Sequence, residues 1–312
     1  MHSSDDNQYS LPILQLFMLR IVFSAQYDCM LPGYKGAMLR GALGDALRTF
    51  FPCTFDKIFK PAMNRPSPGQ YSGVISPPAP YVLSVLDTRQ KVARNQNLIF
   101  SLTLIGQTPE TLQNILHALK LMAQRGLGEK RVPFLLQSVL LQKTSNNSDD
   151  LIELYHSEKK AFLDPIPFTD FRYGSLKDKK IIIQVQTPLR IKVNKQLRDH
   201  INFHELIWAS LNRHYLLCYY YHQPQEFDIR HHPLLKLSKD INIIEHNLYW
   251  VDLVRKSTTQ ELKMKIGGIV GYFTCEGSFG PFSQLLHTAE IEHLGGKTTF
   301  GNGKIKIIDQ NR

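Results

Sequence analysis

The chain has 312 residues, 43% of them hydrophobic and 10% aromatic, a length and apolar content that fit two packed domains and exclude a disordered chain. No run approaches the ~18 apolar residues a membrane span needs, and Met1 to Ser10 carries Asp5 and Asp6 where a secretory signal has basic then apolar residues, so a cytoplasmic protein without a membrane partner is expected. With 37 Lys and Arg against 27 Asp and Glu, the formal charge of +10 favours a polyanionic partner, nucleic acid first, held through phosphate contacts and counterion release.

Leu16 to Ala25 reads as a strand and Leu31, Pro32 and Gly33 as a turn. From Lys35 to Phe50 the residues Met38, Leu39, Ala42, Leu43, Ala46 and Leu47 recur at three- and four-residue steps, which predicts an amphipathic helix with a basic outer face. Pro61 to Pro80, rich in Pro, Ser and Gly, is a loop. Tyr81 to Leu86 and Asn97 to Ile105 follow as strands. Thr108 caps a second helix with a stripe of Leu112, Ile115, Leu116, Leu119 and Met122, which stops at Gly126, and Val132 to Leu141 is a further strand. The order strand, helix, strand, strand, helix, strand is that of a ferredoxin-like domain.

Thr144 to Leu176 is polar apart from Leu151 to Tyr155 and reads as the connection between domains. The cycle then repeats: a strand over Lys180 to Ile191, an aromatic-rich helix over Phe203 to Tyr221, strands over Leu248 to Val254 and Met264 to Cys275, a short helix over Pro281 to Ile291, and a last strand over Lys304 to Ile308. The expected architecture is α+β: two tandem ferredoxin-like (βαββαβ, RRM-like) domains over residues 1–145 and 179–312, joined by residues 146–178. In each half the second helix leads to a Gly-x-Gly turn with basic residues behind it, Gly126 to Arg131 and Gly301 to Lys306, in equivalent places.

Cys29, Cys53, Cys218 and Cys275 stand singly, without CxxC pairs, so neither a zinc site nor a disulfide framework is expected. His200, His204, His214, His222, His231 and His232 lack ligand spacing with carboxylates and read as surface and interface residues; no metal and no cofactor is expected. Tyr219, Tyr220 and Tyr221 beside Arg213 suit base stacking, although at helical spacing most of them belong to the core.

The most informative stretch is His293 to Lys306, HLGGKTTFGNGKIK. Glycines let a backbone approach a phosphate and leave amides to donate to it, lysines supply charge, and Phe300 stacks or anchors. The segment lacks the GxxxxGKS/T order of a P-loop and follows no strand as a dinucleotide-binding GxGxxG would. Its structural alternative is a turn whose glycines serve geometry alone.

DLVRKSTTQELKMKIGG, GYFTCEG and HLGGKTTFGNGKIKI together are similar to the C-terminal half of the CRISPR-associated endoribonucleases that cut precursor CRISPR RNA within its repeats, the repeat-RNA-cleaving branch of the RAMP superfamily. Trp250, Asp252, Arg255, Ser257, Gln260, Gly267, Gly268 and Gly271 fill that family's order, and PGYKGAMLRGALG, PPAPYVL and GLGEKR resemble its first domain. The resemblance implies a metal-independent endoribonuclease that binds CRISPR repeat RNA or crRNA, uses the RNA 2'-hydroxyl as nucleophile, leaves a 2',3'-cyclic phosphate, and meets other subunits of a CRISPR effector complex. It departs from the family in having no histidine between Gly33 and Phe59, where Tyr34, Lys35 and Arg40 are the ionisable residues at hand, and in keeping only Cys53 of a cysteine cluster.

His293, ahead of the glycine-rich segment, is the first choice for general acid or base, with His287 in reserve. Tyr34 is a candidate to position or protonate and Arg40 to neutralise phosphate charge. Lys35, Arg255, Gly295, Gly296, Lys297, Gly301, Gly303 and Lys304 are the expected RNA contacts. The rival expectations are a catalytically inactive RAMP subunit that binds guide RNA within an effector complex, favoured by the missing helix histidine, and a ferredoxin-like protein that senses a small anion.

Overall fold

The computed structural model describes residues 9–62, 77–143, 150–167, 173–177, 179–193, 195–222, 228–256 and 263–309. Ser257 and Gln260, and most of the loop expected between Pro61 and Pro80, lie outside them. The described residues form two compact units, one from Leu14 through residue 167 and the other from Tyr173 to Asp309 together with residues 9–13.

The N-terminal unit runs β1 (Leu16–Ala25), α1 (Gly36–Phe50), α2 (Pro52–Phe59), β2 (Tyr81–Ser84), β3 (Asn97–Ile105), α3 (Pro109–Arg125), β4 (Phe134–Gln142) and β5 (Leu151–His156). Its antiparallel sheet has the order β2-β3-β1-β4-β5, the first four strands in ferredoxin-like sequence. Alternation along β1 buries Leu19, Ile21 and Phe23 in one core with Leu39, Leu43 and Leu47 of α1 and Leu112, Ile115 and Leu119 of α3. Thr108 caps α3 by accepting the Thr111 N–H, as its place before Pro109 predicts.

The C-terminal unit runs β6 (Lys180–Leu189), α4 (Phe203–Tyr221), α5 (Pro233–Leu237), β7 (Asn242–Val251), β8 (Gly268–Glu276), α6 (Ser283–Glu292) and β9 (Ile305–Asp309). Its sheet order, β7-β8-β6-β9, repeats that of β2-β3-β1-β4, so the chain is an α+β protein with the same topology twice. Asn202 and Glu205 start α4 with a capping box, each side chain accepting the other's backbone N–H.

Four expectations need correction. Leu151 to Tyr155, read as part of the connection, belongs to β5 and pairs with β4, burying Leu154 and Tyr155. Residues 9–13 pack on the C-terminal unit rather than the first domain: Leu11 is buried in its core, and the Gln284 amide accepts from the Leu11 N–H and donates to its carbonyl. No local pattern reveals which distant core a short apolar segment joins. β7 begins at Asn242 rather than Leu248, because an edge strand with exposed Glu245, His246 and Asn247 loses its apolar alternation. The strand expected over Met264 to Cys275 breaks at Gly267, where any Cβ would overlap the Val251 carbonyl oxygen.

Candidate functional site

The glycine-rich segment connects α6 to β9, and its backbone is knitted into the sheet. The N–H groups of Leu294, Gly296 and Gly303 donate to the carbonyls of Gly303, Arg190 and Pro188 at 2.9, 2.9 and 3.0 Å. The Gly301 N–H donates to Thr298, and that of Lys304 to the Thr187 hydroxyl at 2.8 Å. The amides of Gly296, Gly301, Gly303 and Lys304, which the sequence reading offered to a phosphate, are therefore engaged within the protein. Its glycines are explained the same way: Gly295 and Gly303 have φ of 70° and 76°, and a Cβ would overlap the carbonyl oxygens of Arg190 and Leu294 respectively. Gly296 and Lys297 are the exposed residues at the loop tip, with Lys297 in the left-handed conformation at φ 69°.

His293 ends α6 at φ 55° and is only 1% exposed. Its Nδ1 lies 3.0 Å from the Asn302 carbonyl, which only accepts, so Nδ1 carries the proton. Burial first, then the nearby Lys304 charge, hold its pKa well below the ordinary histidine value. A neutral, enclosed imidazole fastens the loop here. Asn302, itself fully buried, extends the clasp by donating to the Ile266 carbonyl at 2.8 Å. Burial also lowers the pKa of Lys304, opposed by Glu290. His287 is paired with Glu290 at 2.9 Å.

The other candidates fall elsewhere. Arg255 sits in a two-stranded ribbon, Val254–Lys256 against Lys263–Lys265, that leads into Ile266 and the double glycine. Tyr34, Lys35 and Arg40 belong to the N-terminal unit. Burial raises the Tyr34 pKa far above neutrality, so its phenol stays protonated. Arg40 lies over the Phe59 ring, its guanidinium carbon 5.1 Å from the centroid.

Lys35 is a correction. It is 0% exposed, and its ammonium donates to the carbonyls of Asp87 and Arg89 at 2.8 and 2.6 Å beside the Asp87 carboxylate at 3.5 Å. It pins the segment after β2 to the start of α1 instead of contacting RNA. Lys35→Met is expected to lower unfolding stability by about 2–4 kcal/mol, by leaving those acceptors buried, while the salt dependence of RNA binding stays unchanged; a flatter salt slope at unaltered stability would contradict this.

Two comparisons bear on identity. Residues 14–165 match a family model described as an N-terminal domain. Residues 183–305, nearly the whole C-terminal sheet with its glycine-rich segment, match the model of the CRISPR-associated endoribonuclease Cas6. The C-terminal half, residues 183–305, thus carries the Cas6 signature. That family is one of CRISPR-associated endoribonucleases.

Solved Cas6 structures share the fold across almost the full length. A Cas6 product complex superposes with a TM-score of 0.57 at 16% identity, covering 94% of this chain and 99% of that one. Thermus thermophilus Cas6 gives a TM-score of 0.54 at 13% identity, covering 96% and 100%. The chain also matches 47% of a longer chain in a partial Cas6-RT-Cas1–Cas2 complex, with a TM-score of 0.57 at 14% identity. No curated protein sequence matches the chain.

Arg190 is a residue of this candidate site that sequence reasoning missed. Its carbonyl accepts the Gly296 N–H, its backbone pairs with Gly295, and its guanidinium donates to the Gly267 carbonyl. Its stem would meet a Cβ at Gly268 at 3.1 Å, which explains part of the double glycine. A lone arginine at the end of a strand carries no pattern that spacing could reveal. Among the described residues, no group of three or more His, Cys, Asp or Glu side chains is placed to hold a metal ion, and no helix is long and apolar enough to cross a membrane.

Proposed function

We propose that this chain is a Cas6 endoribonuclease that cleaves precursor CRISPR RNA without a metal, using the RNA's own 2'-hydroxyl. In that reaction the 2'-oxygen attacks phosphorus, the bond to the 5'-oxygen breaks, and a 2',3'-cyclic phosphate forms. A proton must leave the nucleophile and another must reach the 5'-oxygen, while cations offset the charge of the phosphorane. Support comes from an exposed Lys297 at the tip of the loop, from Lys304 where the loop enters β9, and from Arg190 just after β6, whose carbonyl accepts the Gly296 N–H. These three residues, with Arg255 on the ribbon, supply positive charge to the phosphate, and Gly295, Gly296, Gly301 and Gly303 give the loop its shape. Tyr34 donates a proton or a hydrogen bond, and Arg40 binds phosphate. His293 positions the loop. Other CRISPR effector subunits are partners in this reading, and the cytoplasm its location.

The test is incubation of the cognate repeat RNA with the protein in EDTA, beside a copy bearing one 2'-deoxy substitution at the cut site. Cleavage of the all-ribose RNA alone, with a cyclic phosphate on the product, is expected. Tight binding with no cleavage in any buffer would replace this proposal with the inactive guide-RNA-binding subunit, which the enclosed His293 imidazole favours.

A further inference from the structure

Three arginines of the N-terminal unit converge on one carboxylate. Arg48 ends α1, Arg125 ends α3, and Arg131 follows the turn at Gly126; they reach Asp45 at 3.5, 3.3 and 3.6 Å. All three remain open to solvent, with side-chain exposures of 64%, 40% and 58%. Among the described residues their ion pairs run to Asp45 alone, so one negative charge gathers three positive ones. Like charges held this close repel.

The turn is built to hold Arg131. Gly126 has φ 85°, a Cβ there would overlap the Arg131 carbonyl oxygen, and Leu127 pairs with Val132 across the turn. Arg131 itself takes φ 50°, a left-handed conformation unusual outside glycine. Aromatic rings stand in the same cluster. The Arg125 guanidinium carbon lies 5.7 Å from the centroid of Phe50, whose ring is 47% exposed, and that of Arg48 lies 5.7 Å from Phe55. Forked guanidiniums suit phosphate oxygens, and an exposed ring beside them suits a base or ribose; together they describe a single-stranded nucleic-acid surface better than an acidic protein's.

We propose that Arg48, Arg125 and Arg131, gathered by Asp45, form a second RNA-binding site that takes the phosphodiester backbone of a single-stranded stretch against Phe50. The site rests on the endoribonuclease reading only for the origin of that strand. Asp45 holds the arginines together in the free protein and competes with the phosphates for them, so its removal and theirs have opposite signs.

The measurement is anisotropy of fluorescein-labelled decauridylate with the full chain across a range of salt. The triple variant Arg48→Gln, Arg125→Gln, Arg131→Gln is expected to bind about tenfold more weakly and to lose about 1.4 from its log–log salt slope, two single-strand phosphate contacts at about 0.7 each. Asp45→Asn is expected to bind about threefold more tightly, a gain that misfolding does not mimic. Unchanged binding and slope in the triple variant, weaker binding by Asp45→Asn, or equal affinity of the wild type for decaglutamate would each overturn the site. Repeat-RNA cleavage by the same proteins reports separately: cleavage that persists when the site fails leaves the endoribonuclease reading intact, and decauridylate binding as described without cleavage keeps the site and removes that reading.

Discussion

Gly303→Ala is expected to reduce single-turnover cleavage of repeat RNA at least about a hundredfold and to cost about 2–4 kcal/mol of stability. The residue has φ 76°, and a methyl group there would overlap the Leu294 carbonyl oxygen. Its own N–H donates to Pro188 and its carbonyl accepts from Leu294, so the backbone cannot shift to make room without opening the loop at its base. Lys297 and Lys304 would then lose their placement together. Gly296→Ala is the control. Gly296 is exposed, its added Cβ would lie 3.9 Å from the nearest atom, and the change is expected to stay within about 0.5 kcal/mol. Thermal unfolding and cleavage rates of the two variants decide the matter; equal behaviour of both would show that the loop's internal bonding is unimportant to the reaction.

His214→Ala is expected to be the most destabilising single change in the C-terminal unit, by about 3–5 kcal/mol. His214 and Glu292 are both nearly inaccessible, with Nδ1 2.9 Å from the carboxylate. The other ring nitrogen lies 2.9 Å from the Pro12 carbonyl, so both nitrogens face acceptors and the ring is an imidazolium. Burial alone would lower its pKa, but the Glu292 charge and the hydrogen bonds overcome this and push it up to about 10. The folded-state value lies above the unfolded one. The contribution is therefore complete below about pH 6.5 and fades as pH rises through about 10. Chemical unfolding of the wild type should weaken across that interval, and the variant should lack this component. Because Pro12 is one of the partners, protease sensitivity near residues 9–13 should rise in the variant as well.

Much of this was legible from residues alone. The apolar stripe from Met38 to Leu47, the Thr108 cap and the strand from Leu16 to Ala25 depend on neighbours a few positions away, and spacing records such neighbours directly. The double cycle of elements implied the repeated sheet order, since a strand buried on one face must pair where its alternation leads. What failed were contacts with distant partners. The two Gly-x-Gly turns looked equivalent, yet Gly126 follows α3 at once, whereas Gly301 comes after the whole loop that begins at His293. Lys35 looked like an exposed cation because a helix start carries no sign of carbonyls contributed from Asp87 and Arg89.

By itself the sequence determined the fold class, the duplication and the place of the glycine-rich segment, because periodicity and motif order are local and survive without a three-dimensional frame. Only the tertiary structure decided which charged groups meet water. Burial and pairing are set by residues far apart in the chain: Asn302 and Lys304 around His293, Glu292 and Pro12 around His214, Arg190 beneath Gly295, and Asp45 among three arginines. A side chain's chemistry follows from the company the fold gives it, and that company is what spacing along the chain does not encode.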